Sequence, residues 1–117
     1  MNGKTLEILV DGQVAIALTE ELVDGQMHIG VSGEIKNEVA LEFEDELMAA
    51  FTVCQVVQLD LSKVTYIASI AMRALLAVQQ IVDENEGADL VISKISKEVR
   101  EMFETSGFLD ILHIIEE

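Results

Sequence analysis

Residues 59–82, LDLSKVTYIASIAMRALLAVQQIV, constrain this chain more than any other stretch, because they set a buried strand almost directly before an amphipathic helix. Val56, Val57, Leu59 and Leu61 form a compact apolar run with β-branched members, the pattern of a strand covered on both faces. Residues 62–67 read as a loop. Beyond them Ile70, Ala71, Ala74, Leu75, Val78, Ile81 and Val82 recur at three- and four-residue intervals. That spacing predicts a helix over 70–82 with those side chains on the sheet and Arg73, Gln79, Gln80 and Asp83 in solvent. Ser69 falls at the helix entrance. A hydroxyl there can accept a hydrogen bond from a free backbone N–H, and an anion there meets the positive end of the helix dipole.

Upstream, Leu9-Val10-Asp11-Gly12-Gln13 is echoed by Leu22-Val23-Asp24-Gly25-Gln26. Asp-Gly between apolar runs signals a tight hairpin whose central residues need positive φ. The expectation is a meander with strands near 6–10, 13–18 and 27–32, with Val14, Ile16 and Leu18 and then Met27, Ile29 and Val31 facing the core. Ser32-Gly33 breaks the pattern. Ile35, Val39, Phe43, Leu47 and Phe51 then repeat every four residues, an amphipathic helix starting near Asn37. After the central helix, Gly87 suits a left-handed C-terminal cap and residues 90–93 a short buried strand. Ser96 makes an N-cap for a helix carrying Val99, Met102 and Phe103 that stops at Gly107, with Phe108 packing back on Phe103. Residues 109–115 are apolar enough for a last strand or a short helix. The order β-β-β-α-β-α-β-α implies an α/β domain: a mixed sheet with helices packed on it, its parallel strands joined by helical crossovers.

At 117 residues the chain is expected to form one domain, with 1–26 as a hairpin extension before a core at 27–115. A net charge of −15 argues against nucleic acid and against anionic membrane surfaces, and 4% aromatic content with no Trp leaves little for base stacking. The acidic excess reads as solvated helix faces, or as steering toward a basic protein partner. A single Cys54 beside an apolar strand fits a reducing compartment. The N-terminus has no signal-peptide apolar region, and no apolar run approaches the roughly 18 residues of a membrane span. A cytoplasmic location follows as the expectation.

Catalytic constellations are missing. Neither G-x-x-x-x-G-K-S/T nor G-x-G-x-x-G occurs, so no phosphate-cradling loop is expected, and Ser69 lacks the flanking glycines of a hydrolase elbow. His28, His113 and Cys54 are not spaced as metal ligands. Asp60 invites comparison with phospho-accepting receiver domains, but the chain opens on hairpins and has no acidic pair to hold a metal beside it. No enzyme activity, metal or cofactor is expected.

Four stretches together resemble the STAS domain family, which includes bacterial anti-sigma factor antagonists, and they cover roughly residues 27–115. They are Val31-Ser-Gly-Glu-Ile35; Leu59-Asp-Leu-Ser62 with Val64 and Ile67; Ser69 with Ala74-Leu75-Leu76; and Ser96-Lys-Glu-Val99 through Phe103 and Ser106-Gly-Phe108. The resemblance implies a non-catalytic domain that binds a regulatory serine kinase or anti-sigma factor, with release by phosphorylation of Ser69. The partner is expected on the helix entrance and the adjoining loop, at Ser69, Met72, Arg73, Glu34 and Lys36. Where family members with this switch show Asp, two hydroxyl residues and Gly, this chain has Ala68, Ser69, Ile70 and Ala71. Two roles for Ser69 therefore stand side by side, phosphoacceptor and plain N-cap. The alternative to the switch is a scaffold STAS module in a multi-protein or lipid-transport assembly, with Ser69 never modified. Pairing of the first strand with a second copy would make a homodimer.

Overall fold

The two Asp-Gly dipeptides set the first half of the fold. In the computed structural model, which describes residues 3–115, Asp11 and Asp24 have φ of 53° and 51°, and Gly12 and Gly25 both have φ of 80°. Two successive positive-φ residues match the right-handed twist of the strands they join. They link β1 (Lys4–Val10), β2 (Gln13–Val23) and β3 (Gln26–Ile35) into an antiparallel meander. Then come α1 (Asn37–Ala50), β4 (Val56–Ile67), α2 (Ser69–Asp83), β5 (Asp89–Ile95) and α3 (Lys97–Ser106). Positions 1, 2, 116 and 117 of the expected domain lie outside the described residues.

The five strands lie in chain order, β1-β2-β3-β4-β5, with β3–β4 and β4–β5 parallel. This is the mixed α/β sheet anticipated from the sequence, led by a hairpin. α1 and α2 pack against each other over the sheet, and α3 packs against β4. The buried cluster runs from Ile8, Ile16 and Leu18 through Ile29, Val31, Val57, Leu59 and Leu61 to Leu90 and Ile92.

Several expectations need correction. Residues 62–67 are not a loop, since β4 continues to Ile67. Its buried residues Leu61, Val64 and Ile67 fall three apart because β4 carries one extra residue against β3 at each of two register shifts, so strict alternation is lost. β3 likewise runs through Ser32-Gly33. Val14 faces solvent at 50% exposure because the β1–β2 register jumps between Ile8↔Ile16 and Leu9↔Val14, leaving Ala15 as the extra residue. A bulge of this kind reverses which face the flanking side chains take. Gly33 accommodates it: its φ is 109°, and a Cβ there would come within 2.6 Å of the Ala15 carbonyl oxygen.

On α2 the buried face is Ala71, Met72, Ala74, Leu75, Val78, Gln79 and Val82, whereas Ile70 and Ile81 are half exposed. Gln79 is buried rather than solvated because it shares the 71/75/78/82 face, and its Nε2 donates to Asp83 Oδ1 at 2.9 Å. Gly87 has the expected positive φ of 86° but lies in the following loop; the helix ends on right-handed Glu84. The tail resolves into a 3-10 turn at Phe108–Asp110 and a single parallel bridge between Ile92 and Ile114.

The corrected helical face is testable by truncation. Leu75→Ala, at a fully buried position, is expected to lose about 2–5 kcal/mol in denaturant melts. Ile81→Ala, on the exposed flank, should stay within about 0.5 kcal/mol of wild type.

Candidate functional site

The end of β4 and the start of α2 are fixed by one backbone bond. Ala68 N–H donates to the Ile35 carbonyl at 2.8 Å, tying the chain leaving β4 to the end of β3. Held extended at φ −70° and ψ 154°, Ala68 is the residue before the helix, and its carbonyl accepts from Ala71 N–H at 2.9 Å and Met72 N–H at 3.0 Å. Ser69 is therefore the first helical residue, and the N-cap position, one of the two roles anticipated for it, is held by Ala68. Its side chain is exposed and makes no capping bond. The first turn of α2 carries no acidic residue to offset the positive end of its dipole. By contrast, Ser96 does cap α3: its Oγ accepts from Val99 N–H at 3.1 Å and donates to the Val64 carbonyl at 2.5 Å.

Ser69 stands on an open groove between the end of β4, the first turn of α2 and one side of α3. Thr65, Tyr66, Ile67, Ser69 and Met72 line one wall, and Glu98, Glu101, Met102, Thr105 and Ser106 the other. Met72 is only 8% exposed, and the Ser106 hydroxyl lies 3.8 Å from its sulfur, so it forms part of the floor rather than a projecting contact. Glu34 and Lys36 flank a second hollow with Asn37, Glu38, Tyr66 and Ala68, and pair with each other at 3.7 Å. Tyr66 borders both hollows. It sits opposite Glu34 in the β3–β4 register and is 40% exposed. Arg73 is exposed one turn beyond Ser69 and lines neither hollow.

Of the anticipated surface, the fold thus brings Ser69 and Met72 to one groove and Glu34 and Lys36 to the hollow beside it. Sequence reasoning missed Tyr66 and the whole α3 wall. The chain's only tyrosine was available as a signal. For α3 there was none, because its place beside α2 depends on tertiary packing.

Asp60, His113 and Cys54, also singled out in the sequence, do not line this groove. Asp60 sits within β4 and its Oδ1 accepts from Ser62 N–H at 2.8 Å. His113 Nδ1 meets Asp89 Oδ1 at 3.1 Å, and Cys54 is buried. Among the described residues, no three His, Cys, Asp or Glu side chains converge as a metal site would require. No helix among them is long and apolar enough to cross a membrane.

The family profile described as "Mlab, STAS domain" matches residues 18–115. A Bordetella bronchiseptica protein named "Putative anti-sigma factor antagonist BtrV" is 34% identical over 98 residues, covering 83% of this chain and 84% of its own. The chain belongs to the STAS domain family. Solved structures carry the same fold. An anti-sigma factor antagonist from Mycobacterium paratuberculosis superposes with a TM-score of 0.72 at 21% identity, covering 86% of this chain and 85% of that one. The anti-sigma factor antagonist SpoIIAA in its unphosphorylated form gives 0.70 at 14% identity, covering 86% and 87%. At these identities the two structures speak for the fold alone.

For this STAS domain the geometry at Ser69 makes a stability prediction. With no capping bond to lose, Ser69→Ala and Ser69→Asp should both melt within about 0.5 kcal/mol of wild type. Ser96→Ala, which removes a working cap, should lose about 0.5–2 kcal/mol in the same thermal melts.

Proposed function

We propose that this STAS domain is a non-catalytic, cytoplasmic regulatory module that binds an anti-sigma factor or serine kinase through the α2 entrance, and that phosphorylation of Ser69 releases the partner. The observation that carries the reading is the state of the Ser69 hydroxyl. It is exposed on the first residue of α2, unbonded as a cap, and on the rim of a groove floored by Met72. A hydroxyl so placed is reachable by a kinase without unfolding the helix. The family assignment and the antagonist relatives support the regulatory role.

The physics of release is local. A phosphate adds about −1.5 to −2 charge. Within the domain the helix dipole tolerates it, since the first turn of α2 holds no competing acid. Against a partner closed over the groove it must be desolvated, beside Glu98 and Glu101 on the opposite wall. Tyr66, Glu34 and Lys36 extend the contact surface to the neighbouring hollow. Arg73 adds a charged contact one turn along α2.

One observation favours a second reading, a scaffold STAS module in a multi-protein or lipid-transport assembly. Ala68, Ile70 and Ala71 stand where the switch pattern has an acid, a hydroxyl and a glycine, and they leave Ile70 50% exposed beside Ser69. An apolar contact there needs no phosphate. Intact-mass measurement on protein from the native host separates the two: a phosphate on Ser69 under some growth condition supports the switch, and its absence under all supports the scaffold. In pull-downs with the host's anti-sigma factor kinase, Ser69→Asp should weaken binding tenfold or more, about 1.4 kcal/mol. Ser69→Ala should bind normally and resist release. Equal affinity of wild type and Ser69→Asp would end the switch reading.

A further inference from the structure

Glu20 departs from the rule that inward positions of this sheet are apolar. It follows Ile16 and Leu18 on the core-facing side of β2, is only 7% exposed, and has the apolar Ile29 as its neighbour on β3. Its two carboxylate oxygens are treated differently. Oε1 lies 3.6 Å from Nζ of Lys4, its cross-strand partner on β1. Oε2 is buried and, among the described residues, has no hydrogen-bond partner. An unsatisfied carboxylate oxygen at that depth is costly.

The group able to satisfy it is on α1. Glu46 is half-buried, and its carboxyl, once protonated, can hydrogen-bond to Glu20. Burial raises the Glu46 carboxyl above its ordinary 4.5; the hydrogen bond to Glu20 and the charge of Glu20 raise it further, with Lys4 pulling the other way and Asp45 adding to the rise. The charged groups acting on the pair are Lys4 from β1 and Asp45 from α1. Glu21 from β2, His28 from β3, Asp60 from β4 and Lys94 from β5 line the same hollow as Glu20.

We propose that Lys4, Glu20 and Glu46 form a proton-operated latch that fastens the β1–β2 hairpin to α1. Closed, the latch holds one proton: Glu46 O–H donates to Glu20 Oε2 while the Lys4 ammonium neutralises Oε1. Open, that proton has passed to solvent, and two carboxylates face each other with one ammonium between them, in a chain already at −15. The β1 strand that supplies the ammonium lies outside residues 18–115, so the latch joins this chain's own leading strand to the family core.

The sign follows from proton linkage. A carboxyl raised in the folded state binds more protons there than in the unfolded chain, from 4.5 up to its raised value. Stability from this group is present at the acid end and is lost as pH climbs through that window. The loss should be greatest where the latch acts, in the hairpin.

Side-chain 13C carboxyl titration of the full chain reads the latch directly. Glu46 is expected to titrate above an ordinary glutamate in wild type and to return toward the ordinary value in Glu20→Gln. Amide hydrogen exchange, corrected for intrinsic rates, reads its consequence. Between about pH 4.5 and about pH 7.5, hairpin protection should fall at least about threefold more than protection in β4 and β5. In Glu46→Gln, whose amide donates to Glu20 at every pH, that difference should vanish. An ordinary Glu46 midpoint in wild type overturns the proposal, as does a hairpin response that persists unchanged in Glu46→Gln. The wild-type titration stands even if a variant fails to fold.

Discussion

The parallel pairing of β3 with β4 is the constraint on which the rest of the molecule depends. Ile35 and Ile67 are the last pair in register, and the Ala68 N–H closes onto the Ile35 carbonyl just beyond them. Two strands ending at one level send their following helices off from the same edge, so Lys36 before α1 and Ser69 at the start of α2 become neighbours despite their distance along the chain. Sites at the carboxyl ends of parallel strands are a general outcome of this geometry. Here α3, capped by Ser96 and anchored through its hydroxyl to the Val64 carbonyl, walls the groove on the far side.

Much of this was legible in the residues, for identifiable reasons. The Asp-Gly turns declare themselves because few dipeptides accept two positive φ values in succession, and the four-residue repeat from Ile35 to Phe51 runs too long for an ordinary strand. The α3 boundaries were marked at both ends, by a hydroxyl at Ser96 and by Gly107 at φ 80°, and Phe103 and Phe108 do stack with ring centroids 6.4 Å apart. What escaped was whatever depends on register. Val64 and Ile67 looked like loop residues because their spacing is three, and Val14 looked buried because the extra residue at Ala15 is visible only from its partner strand. The rotation of α2 escaped for a related reason: Ile70 and Ile81 flank an apolar face wide enough that its centre cannot be read without knowing what packs on it. At the candidate site, Ser69 was found by its position before a periodic run, but its loss of the cap to Ala68 follows from the long-range bond to Ile35, and the α3 wall from packing alone.

Charge is distributed with one exception in mind. Among the described residues, the acids lie almost entirely on outward positions, where water screens them. Glu20 is the single buried acid among the described residues, and it sits where the leading hairpin meets α1. A fully apolar residue at that position would weld hairpin and helix together irrespective of solution conditions. A carboxylate makes the same junction conditional.

The strand order repeats the chain order, and this bears on how the molecule assembles. β1, β2 and β3 are joined by two-residue turns, so their contacts close over short loops on the microsecond scale of hairpin formation. The parallel pairs must close over the longer segments that hold α1 and α2, which raises the loop-closure cost for the contacts that build the groove. The meander is thus available early as a template, with an apolar face that has no cover until α1 arrives. Assembly of the Ser69 surface is therefore expected to follow that of the meander, because that surface needs both parallel pairs in place.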